Sequence, residues 1–184
     1  MNDLNTAYKD LNDFINSQPK PLILAIEGMC ASGKTTLANK FIDKYTVIHI
    51  DDFFLPPEKK TKERLNEVGG NINYEAIYDL LTNIKNNHTV SYNKYDCHTG
   101  KYSDVDLPYN EVIILEGVYS FHPYFNKLID KLVFIETNDD EQFERINMRP
   151  NADMFYKVWM PLERKYYNES GILEKVNLRI KKIN

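Results

Sequence analysis

The chain has only two cysteines in 184 residues, Cys30 and Cys97, too few for the disulfide framework that holds small secreted domains together. It carries no excess of positive charge: 23 Lys and Arg oppose 27 Asp and Glu, giving a formal net charge of −4 and a pI near 5.6. That balance excludes the broad basic face on which nucleic-acid binding depends. No apolar run approaches the ~20 residues of a membrane span, so no membrane partner is expected. The opening residues Met1-Asn2-Asp3-Leu4-Asn5-Thr6 lack the basic start and apolar core of a secretory leader, and a cytoplasmic location is expected. Internal repeats and low-complexity linkers are also missing. What remains is 42% apolar and 27% charged, the composition of a globular protein, and residues 1–184 are read as one domain.

One segment carries the chemistry. Gly28-Met29-Cys30-Ala31-Ser32-Gly33-Lys34-Thr35 matches the pattern G-x-x-x-x-G-K-[ST], between the apolar run 22–26 and a helix-competent stretch that begins near Thr35. The spacing has a physical reason. Two glycines let the backbone curl tightly and aim its N–H groups at a phosphate, Lys34 reaches the β and γ oxygens, and Thr35 reaches a Mg²⁺. Residues 28–35, with Thr36 following, therefore read as a nucleoside triphosphate site, with Cys30 a small residue at a permitted loop position.

Periodicity places this loop in a larger pattern. Leu4, Tyr8, Leu11 and Ile15 predict an amphipathic helix over 3–16 within an N-terminal segment 1–18. The short apolar runs 22–26, 46–50, 112–115, 132–135 and 176–180 read as strands. Between them, Leu37, Phe41 and Ile42 mark the inner face of one helix, and Ile77, Leu80, Leu81 and Ile84 that of another. Further helices are expected over 139–148 and 152–167, the second with Phe155, Trp159, Leu162 and Tyr166 inward. The polar, tyrosine-rich stretch 88–108 reads as an inserted hairpin turning near Thr99-Gly100. Five strands alternating with helices predict an α/β fold, a three-layer α/β/α sandwich around a five-stranded parallel sheet, with ligands at the carboxyl ends of the strands.

The chemical residues fall at those ends. Asp51-Asp52 follows the second strand, where an aspartate facing a γ-phosphate can orient an acceptor hydroxyl and take its proton, although an acidic pair there also serves as a turn cap. Glu116 ends the run 112–115, in position to help hold Mg²⁺. Arg145 and Arg149, four apart on a predicted helix, share a face and can close over the phosphates as a lid. Tyr92, Tyr95 and His98 offer rings and hydrogen bonds to a base or sugar. Asn93-Lys94-Tyr95-Asp96 matches the guanine-reading N-K-x-D of GTPases, but no D-x-x-G lies between Lys34 and Asn93 and the preceding residues are not an apolar strand.

This order of segments resembles the uridine kinase branch of phosphate-loop (P-loop) kinases, a group that includes phosphoribulokinase and pantothenate kinase. The likeness runs from about Leu22 to Ile180 and rests on the phosphate loop, on Asp51-Asp52-Phe53-Phe54, Asn71-Ile72-Asn73 and Glu116-Gly117, and on the 92–99 stretch. It implies a P-loop NTPase fold of nucleoside-kinase type, with ATP as donor, Mg²⁺ as cofactor and the 5′-hydroxyl of a pyrimidine nucleoside as acceptor. It makes Asp51 the acid/base residue and brings Asp52, Phe54, Asn73, Tyr92 or Tyr95, and His98 to the acceptor, with Arg145 and Arg149 in the lid. Homo-oligomerisation is compatible with it. Three positions depart from the pattern: Asn73 stands where an aspartate is usual, His98 lies six residues after Tyr92 and three after Tyr95, and Arg149-Pro150-Asn151 replaces Arg-Gly-Arg. A kinase for another small alcohol, such as a vitamin precursor or sugar phosphate, a regulatory nucleotide-binding protein and a plain ATPase remain alternatives.

Overall fold

A computed structural model describes residues 4–181; residue 3 of the expected first helix and residues 182–184 of the domain lie outside them. Its centre is a five-stranded sheet in the order β2-β5-β1-β6-β7, every pair parallel. The strands are β1 (Leu22–Glu27), β2 (Thr46–His49), β5 (Val112–Glu116), β6 (Lys131–Glu136) and β7 (Leu178–Lys181). A separate antiparallel hairpin, β3 (Val90–Asp96) with β4 (Lys101–Leu107), holds Tyr95 opposite Tyr102. The expected three-layer α/β/α architecture with a five-stranded parallel sheet and an inserted hairpin is therefore present.

The apolar runs form strands because both their faces are covered. Leu22, Leu24 and Ile26 join Ala7, Leu11 and Ile15 of α1 (Leu4–Asn16) and Leu37 of α2 (Lys34–Ala38) in one core. The alternate residues Ile23 and Ala25 join Ile77, Leu81 and Ile84 of α4 (Tyr74–Asn87) in the other. A period of two along each strand thus feeds two helical layers. A short α3 (Lys62–Asn66), capped by Thr61 and too brief to show periodicity, lies between β2 and α4.

Two details depart from the periodicity reading. Ile42, expected inward, is 58% exposed, because α2 stops at Ala38 and tightens into a 3₁₀ turn over Asn39–Phe41 that turns Phe41 in and the next residue out. The helix expected over 152–167 is α6 (Ala152–Met154), a π-helical stretch over Phe155–Trp159 and α7 (Met160–Ser170). The wider turn shifts the buried face to Met160, Glu163, Tyr166 and Tyr167, leaving Trp159 and Leu162 half-buried.

Candidate active site

Three neighbouring strand ends build the site, because β5 lies between β2 and β1. At the end of β1 the phosphate loop closes tightly. A Cβ on Gly28 (φ +153°) would stand 2.7 Å from both the Ile135 carbonyl oxygen and Ser32 Oγ, so only glycine fits. Gly33, at φ 95°, is the left-handed residue from which α2 starts. Ala31 adopts φ 61° without being glycine, a strained conformation of the kind found at functional sites. Lys34 is 7% exposed and donates to the Met29 carbonyl at 2.8 Å, bent back across the loop mouth.

At the end of β5, Glu116 is buried and meets Thr35 Oγ1, which lies 3.1 and 3.2 Å from its two carboxyl oxygens. His49 Nδ1, from the end of β2, lies 2.6 Å from Glu116 Oε1. This hydrogen bond raises the His49 pKa, against the opposing effect of burial. A hydroxyl and a carboxylate converging at one point are hard oxygen donors of the kind that hold Mg²⁺ together with phosphate and water, so the residues present fit that ion.

The acidic pair after β2 is split. Asp52 is buried, accepts from Tyr92 Oη at 2.9 Å and pairs with Lys94 Nζ at 2.6 Å. Asp51 has neither contact and opens onto the crevice. Its carboxyl is accessible yet set deep in a concave site, which explains why desolvation, and then the charge of Glu116, raise its pKa while Lys34 and His49 lower it. The hairpin is held beside this pair through the Tyr92 and Lys94 contacts of β3 to Asp52.

The structure brings some of the expected acceptor residues to this crevice and turns others elsewhere. Phe54 lies at its side, bridged to Ile72, with Lys60 over its ring at 5.7 Å. Tyr92 reaches in, and its ring stacks on Phe53 at 4.9 Å between centroids. Tyr95 is 7% exposed and packs on Tyr102 within the hairpin, while His98 is exposed at the tip. Asn73 caps α4, its Oδ1 accepting from the Ala76 N–H at 3.2 Å. The N-K-x-D segment 93–96 lies in β3, outside the parallel sheet.

On the donor side, Ala31, Gly33, Lys34, Thr35 and Thr36 form one wall of a cavity of about 400 Å³. Arg145, Met148 and Arg149, at the end of α5 (Asp139–Asn147) and just beyond it, form the other. Arg145 donates to the Ala31 carbonyl at 2.9 Å, and the Arg149 guanidinium lies 4.9 Å from the Phe155 ring centre. Both arginines therefore stand beside the loop.

A second group of residues holds the loop from behind, and of these periodicity marks Tyr166 alone, as an inward helix position. Glu27, fully buried, accepts from Tyr166 Oη and Tyr167 Oη, each at 2.7 Å, and from the Phe121 N–H at 3.0 Å. Burial pushes its carboxyl up to about 7, with these donors pulling the other way. Tyr167 Oη also accepts from the Gly28 N–H at 3.2 Å, and Glu163 accepts from the Cys30 N–H at 2.8 Å. Burial, then the Glu163 charge, pushes the Cys30 thiol up to about 12, so it is an inert, protonated filler. The one sequence signal for Glu27 was a charge ending an otherwise apolar strand; Glu163 and Tyr167 left none.

No protein-family model matches the chain. It is 28% identical over 134 residues to a uridine kinase of Ureaplasma parvum, covering 66% of this chain and 65% of that protein. It is 24% identical over 158 residues to uridine-cytidine kinase B of Dictyostelium discoideum, covering 79% of this chain and again 65% of that protein. The chain thus spans about two thirds of the length of these curated relatives, by the same 65% in each. Among solved structures, one described as a possible uridine kinase from Bacillus stearothermophilus superposes with a TM-score of 0.75 at 20% identity, over 96% of this chain and 98% of that one. No helix among the described residues is long and apolar enough to cross a membrane. In fold and in sequence the chain is similar to uridine kinase-like P-loop kinases.

Proposed function

We propose that the chain is a Mg²⁺-dependent kinase that transfers the γ-phosphoryl group of ATP to the 5′-hydroxyl of a pyrimidine nucleoside. The observation that carries this reading is Asp51: an accessible carboxylate at the bottom of the crevice, electrostatically coupled to both Lys34 and Glu116, while its neighbour Asp52 is tied up. Lys34 and the loop amides bind the donor phosphates, and Asp51 orients the acceptor hydroxyl and takes its proton. Thr35 and Glu116 hold Mg²⁺, which neutralises phosphate charge when bound. Arg145 and Arg149 stabilise charge on the transferring group and exclude water. The named relatives support the acceptor class, and the ring of Tyr92 and the hairpin tip supply a wall for a flat base.

The test is ATP consumption with Mg²⁺ in the presence and absence of uridine, cytidine, a panel of other alcohols and sugar phosphates. Turnover that requires a pyrimidine nucleoside and yields its 5′-monophosphate is the expected result. Turnover with another alcohol alone moves the acceptor class. Hydrolysis that ignores every acceptor, or binding without turnover, overturns the kinase reading.

A further inference from the structure

A second cavity, of about 300 Å³, lies at the amino ends of the strands, the opposite end of the sheet from the phosphate loop. Leu22 and Ile23 reach it from the start of β1, Ile113 from the start of β5 and Ile84 from the last turn of α4, so its floor is apolar. Along β1 it stands roughly 20 Å from Gly28, at the rise of an extended chain. It shares no residue with the cavity beside the loop. We propose that this cavity is a second binding site, for a small, neutral, planar molecule that carries a ring N–H beside a C=O, the edge of a cyclic amide.

One wall is aromatic. α4 ends at His88, whose φ of 53° is left-handed and turns the chain out of the helix. Its ring stacks on that of Tyr109, 4.3 Å away between centroids and 10° from parallel, and both residues line the cavity. Two rings that already hold each other flat lose little freedom when a third packs against them, so the wall suits a planar molecule.

The charged groups of the rim define the edge of that molecule. Asp130 Oδ2 accepts from the Ile23 N–H at 2.7 Å, which fixes the carboxylate in place. Asp130 Oδ1 lies 3.7 Å from Lys85 Nζ, too far for a hydrogen bond but close enough to be bridged. A cyclic amide bridges them, its N–H donating to Asp130 and its C=O accepting from Lys85, with one charge-assisted bond on each side. The other carboxylate of the rim, Glu111, is opposed by the Lys20 ammonium, so no net charge is left for a cationic ligand to neutralise. A zwitterion would lose more hydration over the apolar floor than a neutral amide does.

Amide-resolved NMR titration of the protein with carbostyril, a bicyclic lactam, with N-methylcarbostyril and with benzylamine tests this. Carbostyril is expected to bind with a dissociation constant of about 1 mM or tighter. It should shift the amides of residues 22–23, 84–88, 109–113 and 130 and leave those of 28–36 in place. N-methylation removes the ligand's donor, and Lys85→Met, at an exposed helix position, removes the donor to its carbonyl; each is expected to weaken binding about ten-fold. N-methylcarbostyril or benzylamine binding as tightly as carbostyril overturns the proposal. So does a Lys85→Met variant that binds carbostyril as the parent does, or carbostyril that shifts none of the cavity amides.

Discussion

The Lys94 ammonium stands 2.6 Å from Asp52 Oδ1, and this contact divides the work of the acidic pair that follows β2. With Tyr92 on its other oxygen, Asp52 becomes the latch that holds the hairpin against the sheet. Asp51 is left as the carboxylate facing the crevice. Two adjacent aspartates that look equivalent in a sequence thus have different surroundings, Asp52 buried and paired and Asp51 exposed.

The separation predicts two phenotypes. Asp51→Asn is expected to lower kcat by roughly 10²-fold or more while the ATP dissociation constant changes little, because only proton transfer and acceptor orientation are lost. Asp52→Asn is expected to act on the acceptor KM by loosening the hairpin. Steady-state kinetics with both substrates varied checks the pair, and equal kcat losses in the two variants would remove the distinction.

Glu163 should behave as a backbone clamp rather than as a charge. Glu163→Gln retains an oxygen for the Cys30 N–H and is expected to fold and bind ATP like the parent. Glu163→Leu leaves that buried N–H without an acceptor, at a cost of about 1–3 kcal/mol, and should weaken ATP binding as the loop loses its shape. Thermal melts with and without ATP separate the two effects.

Glu27 predicts a pH dependence of stability. Its carboxyl titrates near 7 in the fold against an ordinary value of 4.5, so between those pH values the folded chain binds a proton that the unfolded chain does not. Its contribution is therefore fully present below 4.5 and is lost as pH rises through 7, with a slope approaching ~1.4 kcal/mol per pH unit. Glu27→Gln should flatten the fall in stability across that window, as read from urea midpoints at a series of pH values. An unchanged slope would mean that Glu27 stays ionised.

The 3₁₀ turn after α2 predicts a contrast between adjacent residues. Phe41, fully buried and stacked on Tyr8 at 4.7 Å, should cost about 3–5 kcal/mol when replaced by alanine. Ile42→Lys, at an exposed position, should stay within about 0.5 kcal/mol of the parent. Denaturant unfolding of the two variants is the check.

What could be read from the sequence was whatever depends on neighbours along the chain. A phosphate loop needs its glycines and lysine at fixed spacing because the backbone itself curls around the phosphate, and a buried parallel strand needs a short apolar run because both faces are covered. Residues 28–35, the five strands and the acids at their ends were therefore legible. The tertiary structure alone decided which of two aspartates is tied to Lys94, that His49 leans on Glu116, and that Glu163 and Tyr167 hold the loop from behind. Each of these joins residues far apart in sequence, or depends on how a helix winds: a tight 3₁₀ turn at Phe41 and a wide π turn before Met160 rotate side chains in ways a fixed 3.6-residue period does not describe. Periodicity reports which face of an element is apolar, whereas the partner of a polar group is set by the distance that folding closes.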